Sequence, residues 1–151
     1  MLAAAGWCGG ANASGPGLFT AHCAVCHQAN GQGIAGMYPP LADSAGVFAR
    51  SRSGRAYLVH VVSFGLSGPI VVRGAHYNGF MQSWAQFTDD QIAQLLNHVL
   101  KDFNAKLLPR HFAPFTAREV RRDRSRPMTS TDVYRELQTL GTAEVRAASA
   151  K

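Results

Sequence analysis

Two cysteines and a histidine stand together near the start of the chain, in the stretch Cys23-Ala24-Val25-Cys26-His27. Cysteines separated by two residues can form a redox-active disulfide, supply half of a zinc site or attach a haem group through thioether bonds. Each of these chemistries makes different demands on the surrounding sequence. The residues outside the motif therefore decide between them.

The surrounding residues favour haem attachment. Zinc would need a second pair of ligands, and the chain, in which Cys8 is the only other cysteine, has no second C-x-x-C pair. A thioredoxin-like disulfide would follow a buried strand, but residues 17–22 show no strand alternation. His27 directly follows Cys26 and is placed to coordinate the iron of a haem that both thiols attach.

The motif is expected to lie on a helix. Gly15, Phe19 and Cys23 recur at spacings of four, which places them on one face of a helix that leads into the attachment site. A glycine on this face allows another helix to approach closely. A glycine-rich loop follows His27 and ends in the sequence Pro39-Pro40-Leu41.

A strong helix signal covers residues 89–103. Thr88 and Gln91 form a capping box, and two aspartates suit the positive N-terminal end of the helix. The apolar stripe consists of Ile92, Leu95, Leu96, Val99 and Phe103. Met81 lies shortly before this helix, in a stretch that we interpret as a glycine-bearing loop.

These features resemble class I cytochrome c over roughly residues 15–103. In that family a proline twelve residues beyond the histidine accepts a hydrogen bond from the imidazole, and Pro39 stands twelve residues beyond His27. Such a bond fixes the ring and makes the ligand more electron-rich. The family places its axial methionine in a loop before the last core helix, where this chain has Met81. The resemblance implies one covalently attached haem c, bound by Cys23, Cys26, His27, Pro39 and Met81, with His27 and Met81 as the iron ligands.

The chain departs from the family pattern at two positions and contains other residues that can bind iron. Gln82 follows Met81 where the family usually has proline, and His98 stands where an aromatic residue usually packs against the first helix. Histidine can fill that space, although its polar edge needs a partner. The alternative ligands are Met37, Met128, His60, His76 and His98, of which His76 is the most plausible histidine because it is five residues from Met81.

The expected fold is all-α, a cytochrome c-like helical fold around one haem with a C-terminal helical extension. Residues 14–103 form the cytochrome c domain, in which residues 55–64 look helical and Ile70-Val71-Val72 forms a brief extended piece.

Residues 104–151 form a basic extension with two short helices. Thr116 with Glu119 opens the first, Pro127 stops it, Thr129 or Ser130 caps the second and Gly141 ends it. The apolar face of the second helix consists of Val133, Leu137 and Leu140. The extension either packs on the haem core or docks onto a partner protein or an acidic surface.

The formal net charge of +6 does not favour nucleic-acid binding. Residues 1–103 hold five Lys or Arg and four Asp or Glu, whereas residues 104–151 hold ten and five, so the excess charge lies in the extension. No apolar run has the length of a membrane span. Residues 1–13 end in Ala11-Asn12-Ala13, the small-x-small form that signal peptidase cleaves after, so they are interpreted as a signal-peptide remnant or a disordered N-terminus.

With histidine and methionine both bound, the iron has no open position for a substrate, so the predicted function is electron transfer rather than catalysis. The protein is expected to be a periplasmic electron carrier, or the cytochrome subunit of a periplasmic dehydrogenase. Its partners would be a dehydrogenase as donor and an oxidase or another cytochrome as acceptor. If Met81 were not bound, the open iron would indicate a ligand-binding or sensor haem protein. A haem-free redox or metal-binding module is the third alternative.

Overall fold

The computed structural model describes residues 14–148, and for residues 141–148 it describes the backbone alone. The predicted signal-peptide remnant, residues 1–13, lies outside the described residues. The elements in chain order are α1 (Gly15–Leu18), a π-helical turn (Phe19–Cys23), α2 (Ala24–His27), a 3-10 turn (Ala45–Arg50), α3 (Arg52–Phe64), β1 (Leu66–Val72), β2 (Ala75–Met81), α4 (Asp89–Phe103), a second 3-10 turn (Ala105–Leu107), α5 (Ala117–Asp123) and α6 (Ser130–Ala148). Between residues 14 and 148, none of the helices combines the length and apolar character needed to cross a bilayer.

Helix α1 crosses α4 at very short range, as the glycine near its start predicts. A Cβ atom at Gly15 would lie 2.9 Å from the carbonyl carbon of Gln94 and closer still to its oxygen. Phe19 packs edge-on against the ring of His98, with centroids 5.4 Å apart. His98 thus takes the aromatic position of this crossing, and its polar edge bonds the carboxylate of Asp102.

Helix α4 has the bounds and the cap that the sequence predicts. The Thr88 hydroxyl accepts a hydrogen bond from the Gln91 backbone N–H at 3.1 Å, and the Gln91 side chain accepts one from the Thr88 backbone N–H at 2.9 Å. This reciprocal pair satisfies two backbone donors that would otherwise lack partners at the helix start. The buried face of α4 carries Ile92, Ala93, Leu95, Leu96, Val99 and Leu100.

The expectation of an all-α fold is wrong in one respect, because β1 and β2 form an antiparallel hairpin. The register pairs Leu66 with Met81 at the open end and Val72 with Ala75 at the turn. The two turn residues, Arg73 and Gly74, both have positive φ angles, of 51° and 80°. Two such residues form the type of tight turn whose twist matches a hairpin.

The C-terminal extension packs against the core as two helices. Helix α5 lies against α3 and α4, and α6 lies against α3 and β1. Arg55 of α3 donates to both carboxylate oxygens of Glu119 at 2.7 Å, and Arg124 donates to Asp89 at the start of α4, also at 2.7 Å.

Two expectations about α6 are wrong. The helix spans 19 residues, so it is not short, and its backbone continues through Gly141 to Ala148 rather than ending at the glycine. A glycine within a helix costs only about 1 kcal/mol relative to alanine, so tertiary packing readily overrides it as a stop signal.

Candidate functional site

The helical segment before the site is buried on one side but is not a regular α-helix. Its first turn is capped by the Ser14 hydroxyl, which accepts a hydrogen bond from the Gly17 N–H. Between α1 and α2, the residues Phe19–Cys23 form a wider π-helical turn. Such turns are frequent at functional sites because they change the direction in which side chains leave the helix. Cys26 and His27 then end α2, and Gln28 breaks the helix with a φ of 63°.

His27 is held in one ring orientation by a backbone carbonyl. Its Nδ1–H donates to the Pro39 oxygen at 2.9 Å, the register that the sequence predicts. The residue is only 8% exposed, and burial lowers the pKa of the imidazole although the bond to Pro39 acts in the opposite direction. A lowered pKa favours the neutral ring, whose Nε2 then carries a free lone pair. The histidine is therefore prepared to bind a metal through Nε2.

The loop between His27 and Pro39 is tied by its own backbone. Gly33 N–H donates to the His27 carbonyl at 2.9 Å, and Ile34 and Tyr38 exchange two hydrogen bonds of 2.8 Å. The backbone N–H of Leu41 then donates to the Gly31 carbonyl at 2.7 Å. These bonds bring the loop back beside α2, so that the Pro39 carbonyl faces the ring of His27.

A buried asparagine fixes the chain that follows Pro39. Asn104, directly after α4, is fully buried. Its side-chain oxygen accepts hydrogen bonds from the backbone of Ser44 and Gly46 at 3.0 Å, and its amide donates to the Leu41 carbonyl at the same distance. Sequence reasoning missed this residue, because an asparagine after a helix is indistinguishable from an ordinary end signal.

Both cysteine sulfurs in the described part of the chain are free thiols. Burial, together with the adjacent Cys26 sulfur, raises the pKa of the Cys23 thiol to about 11. Cys23 is therefore protonated at neutral pH. A pair of uncrosslinked thiols next to a histidine is the form that haem attachment requires.

Met81 lies at the end of strand β2, so the expectation of a loop position is wrong. It pairs with Leu66, the first residue of β1, and its side chain is partly buried against the cluster that joins α3, the hairpin and α6. Gly65 ends α3 with a φ of 79°, and its bare Cα lies against the Met81 carbonyl. The hairpin therefore delivers Met81 on a hydrogen-bonded strand rather than on a flexible loop.

One cavity of about 300 Å³ brings the predicted site residues together. Cys23, Cys26, His27, Pro39 and Met81 all line it. The remaining lining residues are His22, Val25, Met37, Tyr38, Leu66, Gly68, Ile70, Tyr77, Gly79, Phe80, Gln82 and Trp84. Apart from Met81, none of the hairpin residues in this wall was among the predicted site residues. At alternate positions of each strand, a glycine lies between two bulky residues that line the cavity: Leu66, Gly68 and Ile70 on β1, and Tyr77, Gly79 and Met81 on β2.

Most of the alternative iron ligands lie outside this cavity. His76 is exposed on β2, and His98 is held between α1 and α4. His60 lines a separate cavity between α3 and the extension, and Met128 packs in the cluster around α6. Of the alternatives that the sequence offers, Met37 lines the same cavity as His27.

The residues of this cavity fit a haem of the c type. An imidazole and a methionine thioether can bind the iron of such a haem, two thiols can attach its vinyl groups, and the other walls of the cavity are mainly apolar. Among residues 14–140, whose side chains the structure describes, no group of three or more His, Cys, Asp or Glu side chains could hold a metal ion.

A protein-family comparison identifies the family that the chain resembles. Residues 13–101 match the family model described as "Cytochrome c", which covers more than half of the chain.

Two curated proteins are similar to most of the chain. One cytochrome c-552 of Thermus thermophilus is 43% identical over 131 residues, which cover 87% of this chain and 88% of the relative. A second cytochrome c-552 of Thermus thermophilus is 44% identical over 121 residues, which cover 80% of this chain and 92% of the relative. Both matches are longer than residues 1–103, so each includes part of the C-terminal extension.

Proposed function

The chain belongs to the cytochrome c family and therefore carries covalently attached haem c, and we propose that His27 and Met81 are the two axial ligands of its iron. Members of this family are electron carriers rather than enzymes, so the role of the chain is haem-based electron transfer. The thiols of Cys23 and Cys26 form the two thioether bonds to the haem. Pro39 supports His27 through its carbonyl oxygen.

The observation that carries the proposal is the convergence of these five residues on one cavity. Cys23 ends the π-helical turn, Cys26 and His27 end α2, Pro39 lies in the loop after α2, and Met81 ends β2. The hydrogen bond that orients His27 uses Nδ1 and leaves Nε2 as the metal-binding atom. Histidines that bind metals almost always donate their other ring N–H to a carbonyl or carboxylate in this way.

Met81 is a better sixth ligand than Met37, although both line the cavity. Met37 stands two residues before Pro39, on the same loop as the carbonyl that bonds His27, and it is 59% exposed. Met81 belongs to a different segment, is partly buried and is fixed by strand pairing. A ligand held by the fold in this way stays bound in both oxidation states.

When bound, haem c supplies one-electron chemistry, because its iron alternates between the ferric and ferrous states. Imidazole and thioether together fill both axial positions, which leaves no open site for a substrate. The thioether of Met81 and the apolar walls favour the ferrous state and raise the reduction potential. The protein is therefore a carrier whose own residues set the potential.

Electrons enter and leave at the mouth of this cavity. Val25, Met37 and Phe80 line the cavity and are 77%, 59% and 69% exposed. Apolar side chains exposed together suit transient contact with other redox proteins. The donor is a dehydrogenase and the acceptor an oxidase or another cytochrome, or the chain is itself the cytochrome subunit of a periplasmic dehydrogenase. Bacterial cytochromes c are typically exported, which supports a periplasmic location.

The substitution Met81→Ala tests the sixth ligand. We expect the wild-type ferric protein to be low-spin and to resist carbon monoxide after reduction, because both axial positions are filled. Met81→Ala should convert the iron to a form that binds carbon monoxide, with a lower reduction potential because the thioether is lost. The measurements are visible spectroscopy with and without carbon monoxide and a potentiometric titration.

Met37→Ala is the matched control, since it removes the other methionine of the cavity. Its spectrum should match that of the wild type. An unchanged low-spin spectrum in Met81→Ala would contradict the assignment of the ligand. A wild-type protein that is high-spin and binds carbon monoxide would contradict the carrier function and favour a ligand-binding haem protein.

A further inference from the structure

We infer that Gly33 is a positioning residue for the iron ligand, because only a residue without a side chain leaves the Pro39 carbonyl room to bond His27. The inference rests on the proposed ligation by His27 and concerns how that ligand is tuned. Gly33 itself is not among the residues that line the cavity.

The backbone of Gly33 contacts both the His27 backbone and the segment that carries the Pro39 carbonyl. Its N–H donates to the His27 carbonyl at 2.9 Å. Its Cα lies against the peptide group that joins Tyr38 to Pro39. The carbonyl of Pro39, which follows directly, accepts the hydrogen bond from His27 Nδ1. Gly33 is buried, so neither contact can be replaced by water.

A side chain at this position has no free space. A Cβ atom at Gly33 would lie 2.7 Å from the Pro39 carbonyl carbon and 2.8 Å from its oxygen, and closer still to the Tyr38 oxygen. All three atoms belong to the backbone, so no rotamer change relieves the contact. The Tyr38 oxygen is also fixed, since it accepts the Ile34 N–H at 2.8 Å. The Pro39 carbonyl would have to move away from Gly33, and this movement would change the length or the angle of its hydrogen bond to His27.

Moving this carbonyl changes the chemistry of the ligand. The bond from Nδ1–H to Pro39 makes the imidazole more electron-rich and so stabilises ferric iron. A longer or misaligned bond makes His27 a weaker donor. The ferric state then loses stability relative to the ferrous state, and the reduction potential rises.

Gly36 provides a matched control for backbone strain. Its φ angle of 73° is close to the 68° of Gly33, but a Cβ atom at Gly36 would meet nothing within 4 Å. Alanine at either position has to adopt a positive φ angle, which is unfavourable for a residue with a side chain. A difference between Gly33→Ala and Gly36→Ala therefore reports the contact with Pro39 and not the general cost of replacing a glycine.

The test compares both variants as haem-loaded proteins. We expect a positive shift of the reduction potential in Gly33→Ala, together with faster solvent exchange of the His27 Nδ1 proton in NMR spectra. Gly36→Ala should keep the wild-type potential and exchange rate. If Gly33→Ala does not mature, the pair Gly33→Asn and Gly36→Asn replaces it, because asparagine keeps a Cβ atom and tolerates a positive φ better.

The outcome separates this inference from the proposed function. Equal potentials and exchange rates in the Gly33 and Gly36 variants would overturn the positioning role of Gly33 while leaving the His27 and Met81 ligation intact. Failure of the ligation itself would be detected first, in the spectra of the wild type and of Met81→Ala, and would overturn both.

Discussion

His60 of α3 joins the core to the extension through both nitrogens of its ring. Nδ1 bonds the Glu136 carboxylate at 2.7 Å, and Nε2 bonds the Asp123 carbonyl at 2.8 Å. Both partners are acceptors, so both ring nitrogens must donate and the ring must be protonated. Burial alone would lower the pKa of His60, but the bonds to Glu136 and Asp123 outweigh it and raise the pKa above its ordinary value.

This raised pKa predicts a pH-dependent contribution to stability. A group with a raised pKa stabilises the folded state fully below its ordinary pKa of about 6.5, and the contribution is lost as the pH rises through the folded value. His60→Gln should therefore lower the free energy of unfolding by about 1–2 kcal/mol at pH 5.5 and by less at pH 9. Denaturant unfolding at both pH values measures the difference.

His76→Gln is the control for this prediction. His76 is exposed on β2, and its replacement should change stability little at either pH. A loss of stability in His60→Gln that is the same at pH 5.5 and pH 9 would mean that folding does not raise the pKa of His60.

Spacing along the chain made several residues of the site predictable. The attachment motif and the proline twelve residues after His27 are local patterns, and the structure brings both into the expected relation. Gly33 and Asn104 were not predictable in this way, since the atoms they hold become neighbours only when separate loops have folded.

At the scale of elements, the crossing of α1 and α4 depends on the missing side chain of Gly15. Gly15→Ala should lower the free energy of unfolding by about 1–3 kcal/mol, because the added methyl group would overlap the Gln94 peptide group and push the helices apart. Thermal or denaturant unfolding of the haem-loaded protein measures the loss.

Gly17 offers a control on the same helix. A Cβ atom there would meet only the Ser14 hydroxyl, at 3.3 Å, and the residue is exposed. Gly17→Ala should be neutral or stabilise by up to about 1 kcal/mol through helix propensity. Equal losses in both variants would show that helix formation, and not the helix crossing, is what Gly15 affects.

The helices were more predictable than the hairpin for a physical reason. The cap and periodicity of α4 are local signals that the structure retains, with the same bounds of 89 and 103. The strands contain Gly68, Pro69 and Gly79, which are residues that normally argue against a strand. Packing against α6 supports them: Gly68 lies directly under the ring of Tyr134. That contact involves residues far apart in the chain, so no local pattern indicates it.

At the scale of the whole molecule, the extension divides its contacts between two parts of the core. Val120 of α5 is fully buried in the main cluster beside α4. Val133 of α6 is equally buried, but it lies in the second cluster, against which Met81 packs. Helix α6 packs against β1, the partner of the strand that carries the proposed sixth ligand, whereas α5 packs against α3 and α4. This gives the extension a role within the chain that is independent of any docking partner.

Two equivalent substitutions in the extension test this division. Val133→Ala and Val120→Ala each remove two methyl groups from a fully buried site, so each should lower the free energy of unfolding by roughly 1–3 kcal/mol. Only Val133→Ala should loosen Met81. Imidazole added to the ferric protein should then displace the methionine about tenfold more readily. This corresponds to a loss of about 1.4 kcal/mol in the free energy that favours methionine binding over imidazole binding. Spectroscopic titration of both variants with imidazole measures this displacement. If the two variants bind imidazole equally, the extension stabilises the fold as a whole and has no specific effect on the ligand; a change in Val133→Ala alone would link α6 to the iron through the hairpin.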